Sequence, residues 1–259
     1  MWVVEQGDAR VVLFGGMAGV GDRRWLTETV RGAVVASDVV WCEVPDAPEL
    51  ASHPLVAELG LSPDERLVDR LGSDRARRLG EACQALGIEP HDLEGVRPWL
   101  VAQVLDGARL AHAGIDPADA PEQVIPSLAR EEGIPLRWEL GVEEALGFFG
   151  ELPRDEELAL LDLALDRVDD GNAILDADVA SWRHGDLGRA EEAVARTMRR
   201  SPELHDRLGP RRNLGWVERI ERMLHQSGSH FVLVGLLHLV GGRSIPALLE
   251  ARGHAVARR

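Results

Sequence analysis

The sequence predicts an α/β fold, a mixed sheet built from N-terminal, middle and C-terminal strands with a large helical insertion. Three observations predict it. The branched apolar runs Val11-Val12-Leu13-Phe14 and Phe231-Val232-Leu233-Val234 lie near opposite ends of the chain, and each runs into glycine, as a buried strand does before a loop. A shorter run, Val39-Val40-Trp41-Cys42, and the segment 134–139 supply further strands. Between about 47 and 225 the remaining patterns are helical. We read residues 1–259 as one domain carrying that insertion.

Taken in order, Trp2-Val3-Val4-Glu5 and Ala9 to Phe14 flank Gln6-Gly7-Asp8 as a hairpin does its turn. The second strand enters Gly15-Gly16-Met17-Ala18-Gly19-Val20-Gly21, and a helix is expected from Asp22, as its N-cap, to about Ala36. Strand, glycine loop and helix is a phosphate-cradling context. The chain contains no lysine and no tyrosine, however, and Asp22 stands where a phosphate loop needs lysine. No nucleotide cofactor is expected, and the glycines read as a turn that lets the strand pass close to neighbouring backbone.

The run from Ser37 to Pro45 is the next strand, and Glu43 stands at its end. A carboxylate there is unfavourable unless it is paired, hydrogen-bonded or metal-bound. Pro98 opens a helix to about Ala113. Gly133 stops another before a short strand that presents Glu139. Trp182, His184, Gly185 and Asp186 break the long helical stretch from Pro153 to Leu224, and Ser244 starts a last helix before a strand near His254 to Ala257. His238, three residues beyond Gly235, is delivered to the loop where open α/β sheets place their sites. The other histidines, His230 among them, are assigned surface or cap roles. Arg211-Arg212-Asn213 opens an amphipathic helix, and one of its arginines is positioned to clamp an anion or to pair with Glu43 or Glu139.

Composition narrows the function. The net charge of −15 and pI near 5.0 argue against nucleic acid or an anionic membrane surface as partner. The start of the chain has no basic region followed by a long apolar stretch, so a cytoplasmic location is expected. The two cysteines, Cys42 and Cys83, read as core residues rather than a disulfide framework.

These pieces in this order resemble the TraB/GumN family, whose relatives include the Tiki proteases and, more remotely, erythromycin-esterase-like and ChaN-like proteins. The resemblance rests on the hairpin into a glycine loop, the strand ending in Glu43, Trp138-Glu139-Leu140, Trp182 with Gly185-Asp186, Arg212-Asn213 before Trp216, and Gly235-Leu236-Leu237-His238. It implies a metal-dependent hydrolase acting on a peptide or ester bond, with a small-molecule or peptide substrate. Glu43, Glu139 and Arg212 are then the catalytic residues. His238, Glu43 and Glu139 are the ligands of a manganese, cobalt or zinc ion, with Asp22 as a substitute ligand. The family carries a first Gly-x-x-His motif as well, and Ala18 stands in place of its histidine. That departure keeps a second function class open, a non-catalytic protein that binds a ligand or partner on the same fold. A structural role, with Glu43 paired to Arg212 and His238 capping backbone, is the third reading.

Overall fold

The computed structural model describes residues 1–45 and 47–259, apart from the side chains of Ala47 and Pro48. In chain order the elements are β1 (Trp2–Gln6), β2 (Ala9–Gly16), α1 (Glu28–Val35), β3 (Val39–Cys42), α2 (Ala47–Ser52), α3 (Leu55–Gly60), α4 (Leu67–Leu71), α5 (Ser73–Leu86), α6 (Pro98–His112), α7 (Pro121–Glu131), β4 (Leu136–Trp138), α8 (Val142–Gly150), α9 (Arg154–Arg183), α10 (Gly188–Arg200), α11 (Pro202–Leu208), α12 (Pro210–Leu224), β5 (Gly228–Gly235), α13 (Ile245–Ala251) and β6 (Val256–Arg258). The architecture is the expected mixed α/β one. Among the described residues no helix is long and apolar enough to cross a membrane.

The chain forms two compact units. One comprises Met1–Asp46, Asp116–Glu139 and Asp178–Arg259, and holds the whole sheet. The other comprises Ala47–Ile115 and Leu140–Ala177 and is helical apart from an isolated bridge between Leu61 and Val96. Within the helical unit Trp99 stacks on Phe149 at 5.7 Å, and Arg75 and Arg167 pair with Asp162 and Asp106. Gly171, at φ +69°, breaks α9 into two helices.

The sheet runs β4-β3-β5-β2-β1-β6. β4, β3, β5 and β2 are mutually parallel, and β1 pairs antiparallel to both β2 and β6. β2 and β5 lie at the centre, which explains their unbroken apolar runs: both faces are covered. On one face Val11, Leu13, Val232 and Val234 meet Trp216, Ile220 and Met223 of α12 and Ile245 and Leu249 of α13. On the other, Phe14 contacts Phe231, Trp25 and Trp182 at ring separations of 5.8–6.0 Å. Burying a side chain of this size contributes about 2 kcal/mol.

Two local expectations are corrected. The helix placed at Asp22 to Ala36 is divided: Asp22 caps a short 3-10 turn, Arg23–Trp25, and Thr27 separately caps α1 through the Val30 amide. His230 is not a surface residue. It lies in β5, opposite Val11 on one side and Val39 on the other, and is 9% exposed, with no hydrogen bond to either ring nitrogen among the described residues. Burial lowers its pKa, so the ring is held neutral.

Candidate functional site at the strand ends

Four parallel strands finish at the same edge of the sheet. Gly16 ends β2 and Gly235 ends β5, and the two are paired in register. Cys42 ends β3 and Trp138 ends β4, also in register, so the residues that follow, Glu43 and Glu139, leave side by side. The Glu139 amide donates to the Cys42 carbonyl at 2.9 Å, which fixes that exit.

Arg212, in the first turn of α12, lies between the two glutamates. Its Nη1 donates to Glu43 Oε1 and its Nη2 to Glu139 Oε2, each at 2.5 Å. Glu43 Oε2 accepts from the Gly235 amide at 2.9 Å. The neighbouring Arg211 turns away to Asp206. Burial alone would push the Glu43 carboxyl up, but the His238 ring when it carries a second proton on Nε2, the Arg212 guanidinium and the Gly235 amide outweigh it and hold the group well below the usual carboxylate range. Burial dominates at Glu139, where the nearby Glu43 charge adds to it, so its pKa is raised despite Arg212.

His238 is fully buried. Its Nδ1 lies 2.6 Å from Asn213 Oδ1, and the Asn213 amide nitrogen donates to the Arg243 carbonyl at 2.8 Å. Because the asparagine nitrogen is engaged there, its oxygen faces the ring and Nδ1 carries the proton. In the neutral ring Nε2 is then a buried lone pair without a hydrogen bond among the described residues, 3.4 Å from Glu43 Oε1. A lone pair facing a carboxylate is unfavourable until a proton or a cation lies between them.

A third carboxylate joins the cluster. Glu122 follows Pro121 at the start of α7, and its carboxyl rests against Gly16 so closely that a Cβ on Gly16 would fall 2.1 Å from Oε1. Burial, with a smaller push from Glu43, raises its pKa to about 7. Gly235 does for Glu43 what Gly16 does for Glu122: a Cβ there would come 3.4 Å from Glu43 Oε2. Each central strand thus ends in a glycine that admits a glutamate. Glu122 was not foreseen because a carboxylate in a first helical turn reads as a partner of the helix dipole. The only sequence hint was its place just after a proline.

The four residues expected to bind a metal are distributed unevenly. Glu43, Glu139 and His238 converge through Arg212 and Asn213. Asp22 instead accepts from the backbone and side chain of Arg24 and pairs with Arg183 at 2.8 Å. Among the described residues no hydrogen bond or ion pair links it to the other three. Ala18 is exposed in a turn. By strand register the residue matching His238 is Gly19, because Gly16 and not Gly15 pairs with Gly235.

These donors can be tested against the divalent ion that the resemblance implies. Among the described residues no group of three or more histidines, cysteines, aspartates or glutamates is arranged to hold an ion. Two donors do fit. His238 presents an unpartnered Nε2 with its other nitrogen held by Asn213, as ligating histidines are held, and Glu43 Oε1 faces it. Imidazole with carboxylate suits manganese, cobalt or zinc.

The sequence model of the TraB/PrgY/gumN family matches residues 1–258. No curated protein and no solved structure matches the chain.

Proposed function

We propose, from the premise that this chain belongs to the TraB/PrgY/gumN family, that its strand-end cluster hydrolyses a peptide or ester bond with a divalent cation bound at His238 and Glu43. The observation that carries this reading is the buried, unpartnered Nε2 of His238 facing Glu43 Oε1. When bound, such an ion polarises a carbonyl and makes water acidic enough to act as a nucleophile near neutral pH.

The protein's own residues divide the remaining work. Asn213 fixes the tautomer and orientation of His238. Glu43 engages both oxygens, one with Arg212 and one with the Gly235 amide, so it serves as a fixed charge. Glu139 pairs with Arg212 through Oε2, and its Oε1 takes a proton from an attacking water. Arg212 supplies the positive charge that steadies negative charge growing on the substrate's oxygen.

A second reading, a non-catalytic ligand-binding protein, is favoured by one observation: the guanidinium already pairs with both glutamates, and neither Ala18 nor Gly19 offers an imidazole. Elemental analysis after metal loading and desalting, with an ester and peptide panel, separates the two. One equivalent of ion that is lost in His238→Gln, together with turnover, supports the hydrolase. An ion retained only by Ala18→His or Gly19→His supports the second reading.

A further inference from the structure

A cavity of about 190 Å³ opens beside the strand ends, within the unit that holds the sheet. Its floor is Leu236 and Leu237, the two residues between Gly235 and His238, and Met17, which follows Gly16. Its roof is one face of α10, formed by Ala190, Ala193 and Val194. α10 is amphipathic and yet buries none of its residues, so this apolar face is left without a filling.

Most polar groups in the walls are already engaged with the protein itself. Trp182 donates its Nε1–H to the Gly15 carbonyl at 2.8 Å, Ser181 donates to the Asp186 carbonyl at 2.9 Å, and Thr197 donates to the Ala193 carbonyl at 3.2 Å. Arg189 pairs with Asp178 at 2.7 Å, and Asp186 Oδ1 accepts from the Gly188 amide. What the cavity presents to an occupant is therefore mostly apolar surface, with the exposed Asp186 carboxylate the one lining charge that no arginine is seen to match among the described residues.

We propose that this cavity is the side-chain pocket of the substrate, taking an uncharged apolar group, a phenyl ring or a branched aliphatic chain, attached next to the bond presented to Glu43, Arg212 and His238. The inference rests on the hydrolytic reading of the strand ends. The volume suits it: a dry cavity of about 150 Å³ accepts benzene. So does continuity, because the backbone that floors the pocket is the same stretch that carries Gly235 and His238. An apolar side chain lodged there is anchored by the loop that bears the imidazole, and the length of that loop sets where the adjoining carbonyl lies.

The test uses the whole chain. N-acetyl-phenylalanine amide, N-acetyl-glycine amide and N-acetyl-lysine amide are titrated by NMR, and the ethyl esters of the same three N-acetyl amino acids are assayed for hydrolysis, with the natural protein and Ala193→Phe. The phenylalanine compound is expected to bind at least tenfold more tightly than the other two, and Ala193→Phe to abolish that preference. Ala190→Leu, a smaller filling of the same face, reads the same preference if Ala193→Phe does not fold. Equal binding of all three amides overturns the pocket. Selective binding without hydrolysis of any ester keeps the pocket and removes the hydrolytic reading. Hydrolysis with no preference for phenylalanine keeps that reading and removes the pocket.

Discussion

Arg212 holds Glu43 and Glu139 with separate nitrogens of one guanidinium, so the two carboxylates that leave adjacent strands are tied to a single charge on α12. The planar fork is what allows this. A lysine ammonium in its place would be a point charge on a flexible stem and would not span both partners with fixed geometry.

Replacing Arg212 therefore tests whether the cluster also holds the strand ends together. Arg212→Met leaves two partly buried carboxylates uncompensated, and urea unfolding should show a loss of about 3 kcal/mol. Arg212→Met combined with Glu139→Gln should recover part of that loss, because one of the abandoned charges is gone.

Glu122 gives the protein a pH dependence with a definite sign. Its ordinary pKa of 4.5 rises to about 7 on folding, so the folded state keeps a proton that the unfolded chain has released. The associated stability is complete below pH 4.5 and is lost as pH rises through 7. Glu122→Gln should remove that decline, making the variant about 3 kcal/mol more stable than the natural protein at pH 8, relative to their difference at pH 4. Urea midpoints at the two pH values measure it.

Gly16→Ala acts on the same carboxyl from the opposite side. The new methyl occupies the place of Glu122 Oε1, and the flexible end of the glutamate swings away toward water. The expected result is a modest loss of stability, about 1 kcal/mol, with the Glu122 titration returning toward 4.5. Carbon-13 NMR of the side-chain carboxyl follows it directly.

His230→Leu should stabilise the protein. It replaces two buried, unpartnered nitrogens with methyl groups, a gain of about 1 kcal/mol. The acid side should change too. The folded-state pKa of His230 is depressed, so its contribution is present above the ordinary value of 6.5 and lost as pH falls through the lower folded value. Thermal melts between pH 5 and 7 should be flatter for the variant.

Much of this was readable in the residues themselves. The hairpin, the central strands and the placement of Glu43 and Glu139 at strand ends follow from apolar runs that stop at glycine or at a carboxylate. The Arg212 contact was foreseen as a choice between two glutamates, and the structure has both, because register between β3 and β4 brings them together. His230 was misplaced because Gly228 and Ser229 before it look like a turn, whereas β5 already starts at Gly228 and seats the ring between two other strands. The start of α1 was misjudged because two good capping residues, Asp22 and Thr27, stand five positions apart and only packing decides between them. Glu122 depends entirely on tertiary approach, since nothing in its own segment refers to Gly16.

The pairing of β2 with β5 has a kinetic side. Gly16 and Gly235 are neighbours in space with almost the whole chain between them. During synthesis the N-terminal hairpin emerges early, with the parallel edge of β2 lacking its partner until β5 has been made. Contacts of such long sequence separation slow folding. For that interval a central, largely apolar strand presents an open edge, and a chain cut short before β5 would be left with an exposed, aggregation-prone template in place of a strand-end site.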